Sequence, residues 1–241
     1  MGQISSVLLL PIRKLLSYRQ VVVVAPHPDD ETLGCGGAIA RLCQSGVSVF
    51  VLVMSDGTQS HPDSVSYPFH RLRSLRESET LQALEILGLD ADRVTFCRWP
   101  DLAVPDSKSE SFELAVERCD RYLRVRSPDL IFVPWKHDHH RDHRATWHIV
   151  DCCLQAWSSP PQRFAYPIWG GSYKAGLLNI PEGEIAWRLD ISSVQSLKRR
   201  AAMAHQSQTT DLIGDDPDGF RLTSEMLASL ILPWETYLEV H

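Results

Sequence analysis

Apolar and polar positions along the chain alternate in blocks of strand length and helix length. Four consecutive valines at 21–24, closed by Ala25, form the unbroken apolar run of a strand covered on both faces of a parallel sheet. A helix-compatible stretch follows over 31–45, ended by Gly46 in the position that suits a left-handed C-terminal residue. A second apolar run, VSVFVLVM at 47–54, predicts the next strand. Leu72, Leu75, Leu81, Leu84 and Leu87 then make one apolar stripe along a helix over 71–88. The alternation continues with a strand at 94–99, a helix at 112–126, a strand at 130–135 and a helix from about 142 to 157. Strands and helices repeating at this spacing build right-handed βαβ units on a parallel sheet.

Beyond Pro160-Pro161 the pattern loosens. Strands are expected at 164–169 and 185–191, and a helix at 193–205 capped by Ser192 or Ser193. A turn is expected at 214–219, and a helix with a packed-back tail over 223–237. At 241 residues the chain accommodates one α/β domain, a Rossmann-like parallel sheet with flanking helices, spanning 21–241. Residues 1–20 form a leucine-rich, basic lead. Its apolar run at 7–10 is far too short to span a bilayer, and Arg13 and Lys14 follow that run, the reverse of a signal peptide. The lead reads as an amphipathic helix on the protein's own core, with weak contact of 1–18 to a membrane surface as the alternative. Gly2 with Ser6 fits a myristoylation pattern only loosely.

Composition changes this picture little. A net charge of −6 leaves no electrostatic footprint for nucleic acid. The six cysteines contain no CxxC pair and fall mostly on apolar faces, which suits buried reduced thiols in a cytoplasmic protein.

The chemistry concentrates where strands hand over to helices. Open α/β sheets bind ligands at the carboxyl ends of their strands. After the valine strand comes Pro26-His27-Pro28-Asp29-Asp30. The two prolines stiffen the turn, so that His27 and Asp30, three apart, can reach one point while Asp29 takes another heading. One imidazole and one carboxylate are half of a catalytic zinc site. The spare carboxylate would be a general base for water at the metal. The plainer role for these acids is helix N-capping; the Pro-flanked histidine tips the reading toward a site.

A second cluster follows the strand at 130–135: His137, His139, His140 and His143. His137/His140 and His140/His143 are three apart and His139/His143 four apart, so spacing alone leaves the pair open. If the strands at 21–25 and 130–135 are neighbours, as in a 3-2-1-4 order, the two clusters meet at the topological switch point.

With these residues in place, the chain resembles the LmbE/PIG-L family of zinc-dependent N-deacetylases. His27-Pro-Asp-Asp-Glu31 and His140-Arg-Asp-His143 carry the resemblance. It extends to Asp56-Gly57, to Arg76, Glu79, Ala83 and Leu87-Gly88 along one helix, to Pro100-Asp101, and to Lys198 with His205, Ser207 and Gln208. As a set these cover roughly 21–208. The resemblance implies His27, Asp30 and His143 as zinc ligands and Asp29 as general base. It implies His140 as the group that stabilises the oxyanion or protonates the leaving amine, preferably as imidazolium and oriented by Asp142. Arg76 and Asp101 would meet an acetamido sugar, and Trp99, Trp135, Trp169 and Tyr173 are candidates for stacking on it. Lys198, Arg199 and Arg200 are expected on a solvated helix face. The expected reaction is release of acetate from an N-acetylglucosamine conjugate. The alternatives are an amidase for a larger amide and a metal-free α/β module binding a nucleotide or sugar.

Overall fold

The structure is a computed structural model that describes residues 7–169, 171, 172, 177, 178 and 184–240. The valine run forms strand β2 (Gln20–Ala25), flanked by β3 (Ser48–Ser55) on one side and β5 (Leu130–Pro134) on the other, all parallel. β4 (Val94–Trp99) extends the sheet beyond β3, and β6 (Gln162–Tyr166) extends it beyond β5. The first four long strands therefore stand in the expected 3-2-1-4 order.

The alternation along β2 explains its composition. Val21 and Val23 belong to the core on one face of the sheet, Val22 and Val24 to the core on the other, and all four are fully buried. The first face is covered by α2 (Asp30–Gln44), α3 (Phe69–Ile86) and α6 (Gln195–Ala204). The second is covered by α4 (Phe112–Arg126) and α5 (Arg141–Gln155). Six free cysteines, three of them buried, agree with reduced thiols.

Several expectations change. The sheet is mixed: the chain's last segment ends not in a tail but in strand β10 (Trp234–Val240), antiparallel to both β6 and β9 (Ile185–Asp190). Only a seven-residue helix, α8 (Ser224–Leu230), precedes it. The gap between β6 and β9 supplies the hydrogen-bonding partners that turn an ambiguous amphipathic run into a strand. The lead is not one helix: β1 (Val7–Leu9) pairs parallel with β9, and a single turn, α1 (Ile12–Leu15), follows. Leu10 and Leu15 are buried in the core. Among the described residues, no helix is long and apolar enough to cross a membrane. Gly2 and Ser6 lie outside the described residues.

Around α6, Val194 occupies the N-cap position, and Ser193 instead accepts a hydrogen bond from Arg41 at 2.6 Å. Lys198 is not on a solvated face. It is 1% exposed and pairs with Glu235 at 2.7 Å, whose carboxylate also accepts the backbone N–H groups of Gly37 and Ala38 and the Tyr237 hydroxyl. A buried charge survives only when paired and hydrogen-bonded in this way.

Candidate metal centre and active site

The two clusters converge because β2 and β5 are neighbours that end at the same edge. The turn after β2 is held tightly. The His27 backbone N–H donates to Asp30 Oδ2 at 3.0 Å, and the Asp29 N–H donates to Glu31 at 3.1 Å. Asp29 has a φ of 134°, a region that L residues occupy only when their surroundings over-determine it. It precedes α2, but its side chain makes no capping bond; it turns instead to Arg76, at 3.0 Å.

Asp30 Oδ2 is the focal atom. It lies 3.0 Å from His27 Nδ1 and 3.1 Å from His143 Nε2, and all three side chains are buried. Atoms bound about 2.0–2.1 Å from one tetrahedral ion stand roughly 3.3–3.4 Å apart, close to these separations. Neither ring nitrogen of the buried His143 has hydrogen-bonding geometry to a partner, although carboxylate oxygens lie on both sides. His27 Nδ1 is hydrogen-bonded to Asp30 Oδ2 at 3.0 Å, so it is the unsatisfied His143, crowded against the same oxygen, that suits a cation shared by the three. The ligand atoms of His27, His140 and His143 also fall within 4.8 Å of one another, as do those of His27, Asp101 and Asp142.

Each imidazole turns its other nitrogen to a carboxylate. His27 Nε2 lies 3.3 Å from both Asp101 Oδ1 and Asp142 Oδ2. His143 Nδ1 lies 3.3 Å from Asp138 Oδ2. Such outer carboxylates fix the ring orientation of metal-bound histidines. Burial pulls both imidazoles toward the neutral form, but the carboxylates prevail: His27 is held well above its ordinary pKa, and His143 at about 9. Burial likewise opposes ionisation of Asp30 and Asp101; the two imidazoles hold Asp30 well below the carboxylate range, and His27 holds Asp101 at about 2. Asp29 behaves oppositely. Burial and then Asp30 push it up to about 7 against the pull of Arg76.

His140 and Asp142 are placed differently from expectation. His140 caps α5: its Nδ1 accepts the Asp142 backbone N–H at 3.2 Å. The Asp142 carboxylate does not reach the His140 ring; it faces His27 and accepts the Leu102 N–H at 2.8 Å. Burial, with the nearby His27 and His143, pushes His140 down to about 4, which favours the neutral ring over the expected imidazolium. The hydrogen bonding agrees, since a nitrogen that accepts from the backbone cannot also carry a proton.

Arg76 and Asp101 line the same cavity, yet both are engaged with the protein. The Arg76 guanidinium donates to the carbonyls of Pro28 (2.6 Å) and Gly57 (2.8 Å) as well as to Asp29. Asp101 faces His27 and accepts the Gln59 N–H at 2.9 Å. Of the aromatic candidates, Trp169 lines the cavity. Trp135 is buried with its indole N–H on Glu184 at 3.2 Å, Trp99 packs under Arg118, and Tyr173 lies outside the described residues. His139 reaches the cavity, whereas His137 stands 3.8 Å from Glu184.

The sequence reading missed Asp138, although an acid five residues before a candidate ligand in the same turn was a usable signal. It also missed the cavity's far wall of Leu102, Phe220 and Met226. The cavity holds about 470 Å³, enough for a sugar-sized ligand.

Comparison with known proteins gives the chain a family and relatives of the same fold. The family model described as PIG-L: GlcNAc-PI de-N-acetylase matches residues 22–154. The chain is 28% identical over 201 residues to the diacetylchitobiose deacetylase of Thermococcus kodakarensis, covering 79% of this chain and 70% of that protein. It is 25% identical over 243 residues to a 1D-myo-inositol 2-acetamido-2-deoxy-alpha-D-glucopyranoside deacetylase of Rhodococcus opacus, covering 81% and 83%. In fold it is similar to the N,N'-diacetylchitobiose deacetylase of Pyrococcus horikoshii, solved with an inhibitor: TM-score 0.66, 24% identity, 81% of this chain and 73% of that one.

Proposed function

The chain belongs to the PIG-L (GlcNAc-PI de-N-acetylase) family, and from that premise we propose that it is a zinc-dependent N-deacetylase that releases acetate from an N-acetylglucosamine-type sugar conjugate. The observation that carries this reading is the meeting of His27 Nδ1 and His143 Nε2 on one oxygen of Asp30. These three residues would hold the ion. Bound zinc supplies a Lewis acid for the acetyl carbonyl and lowers the pKa of a water toward about 7.

The remaining steps belong to the protein. Asp29 stands beside the ligand set without joining it, fixed by Arg76 and by Glu31. A carboxylate near pKa 7 is well matched to take a proton from the attacking water at neutral pH. With Nδ1 committed to the Asp142 N–H, His140 carries its proton on Nε2. That N–H donates to the carbonyl oxygen as it gains negative charge, which makes His140 a neutral oxyanion donor. Asp29 then returns its proton to the leaving nitrogen, and acetate and free amine separate. Asp142 and Asp101 act through His27, and Asp138 through His143. Arg76 and Asp101 therefore support the metal cluster's surroundings as well as bordering the substrate.

The test is a zinc assay together with acetate release across a panel of N-acetyl sugar conjugates. Asp29→Ala is expected to retain zinc and lose most turnover. Loss of zinc in Asp29→Ala with retention in Asp30→Ala would reverse the two carboxylates. A larger acid in place of acetate would make the protein an amidase, and a zinc-loaded protein that releases neither would overturn the hydrolase reading.

A further inference from the structure

The cavity lining is of two chemical kinds. His27, Asp29 and Asp30 are polar and buried, whereas Leu102, Trp169, Phe220 and Met226 are apolar and half-buried or exposed. These four come from three separate parts of the chain: Leu102 from the loop after β4, Trp169 from the segment after β6, and Phe220 and Met226 from the stretch that leads into α8 and from α8 itself. Trp169 and Phe220 meet edge to face, their rings 5.8 Å apart at 89°. The Phe220 N–H donates to the Ser60 carbonyl at 2.7 Å, which fixes this wall to the loop beyond β3.

Leu102 is the most informative of the four. It is 46% exposed and has a φ of 61°, the left-handed region that a leucine avoids. Its backbone N–H is pinned there by Asp101 at 2.9 Å and by Asp142 at 2.8 Å, the two carboxylates that face His27. The two hydrogen bonds account for the backbone conformation, but they leave the apolar side chain in water beside the cavity, where a ligand could cover it. Phe220 is likewise 38% exposed. Among the described lining residues, the guanidinium of Arg76 is already bound to Asp29, Pro28 and Gly57.

From this juxtaposition we infer that Leu102, Trp169, Phe220 and Met226 form a clamp for an apolar or aromatic aglycone, so that the substrate is an acetamido sugar carrying an apolar rather than an anionic group beyond the ring. The inference rests on the deacetylase reading for the sugar end of the cavity. The clamp makes the substrate bury Leu102 and Phe220, and it discriminates against a phosphate, which would lose water against these apolar side chains while the Arg76 guanidinium is engaged elsewhere.

The experiment compares methyl and phenyl N-acetylglucosaminides, in both anomers, with N-acetylglucosamine 1-phosphate. Binding is measured by calorimetry on zinc-loaded Asp29→Asn protein, and acetate release on the unaltered enzyme. The phenyl glycoside is expected to bind more tightly than the methyl glycoside by about tenfold or more, the factor for moving a ring from water onto an apolar wall. The phosphate is expected to be the weakest ligand. Leu102→Asn, which suits a left-handed backbone, and Phe220→Ser should each shrink the phenyl-to-methyl ratio severalfold. Equal binding of the two glycosides, a ratio unmoved in both variants, or preference for the phosphate overturns the clamp. Failure of the deacetylase reading shows separately, as absent acetate in the presence of ligand binding.

Discussion

Asp138→Asn tests whether the outer carboxylates shape the metal site. Asp138 is 1% exposed. Its Oδ1 accepts the His140 N–H at 2.9 Å, and its Oδ2 accepts those of Ile168 at 3.2 Å and Trp169 at 2.9 Å while facing His143 Nδ1 at 3.3 Å. An amide has one acceptor oxygen. Placed at the Oδ2 position it keeps three of these contacts and turns its NH₂ against the His140 N–H, donor against donor. Loss of that charge-assisted bond costs about 1.5–3 kcal/mol. For a chain of this length that lowers Tm by about 3–12 °C. The uncharged partner also orients His143 less firmly, and zinc affinity should fall about 10–100-fold. The assay is competition against a chromophoric zinc chelator, paired with calorimetric melting with and without zinc. Stabilisation by zinc should shrink along with affinity. If melting falls as calculated while zinc affinity stays within about twofold of the parent, the reasoning from outer carboxylate to ligand fails.

Removing the oxyanion donor in His140→Ala should lower kcat about 10²–10³-fold with zinc content unchanged, and parental kcat would remove His140 from the chemistry. Asp142→Asn should weaken zinc binding more than Asp142 acting on His140 alone would require; unchanged zinc affinity with reduced kcat would return it to the role first expected. His143 is raised to about 9, so its ion pairs stabilise the metal-free protein fully below about pH 6.5, its range when unfolded, and are lost as pH rises toward 9. Because zinc displaces those protons, its affinity should rise through the same window, with proton release visible by calorimetry in buffers of different ionisation enthalpy. A Cβ at Gly57 (φ 66°) would stand 2.5 Å from Arg76 Nη1 and 3.0 Å from Pro28, so Gly57→Ala should displace the Asp29 clamp and cut kcat while zinc remains bound; parental kcat would show that Asp29 needs no clamp.

Sequence alone determined what is local. The valine run, the leucine stripe and the two polar turns are set by side-chain periodicity and by residues within a few positions of one another. They were enough to place β2, β5 and their neighbours and to make His27 converge with Asp30, whereas spacing left four histidines open after β5, and the adjacency of β2 and β5 that brings His143 to the same edge belongs to the sheet. Tertiary structure decided which side chain answers which. Whether Asp142 meets His140 or His27, whether Lys198 is solvated or paired with Glu235, and whether 234–240 becomes tail or strand depend on atoms from distant segments. A hydrogen bond changes partner over about an ångström, and no spacing along a chain resolves positions that finely. An amphipathic run becomes a strand when an unpaired edge waits for it, and that edge exists only once the sheet has formed.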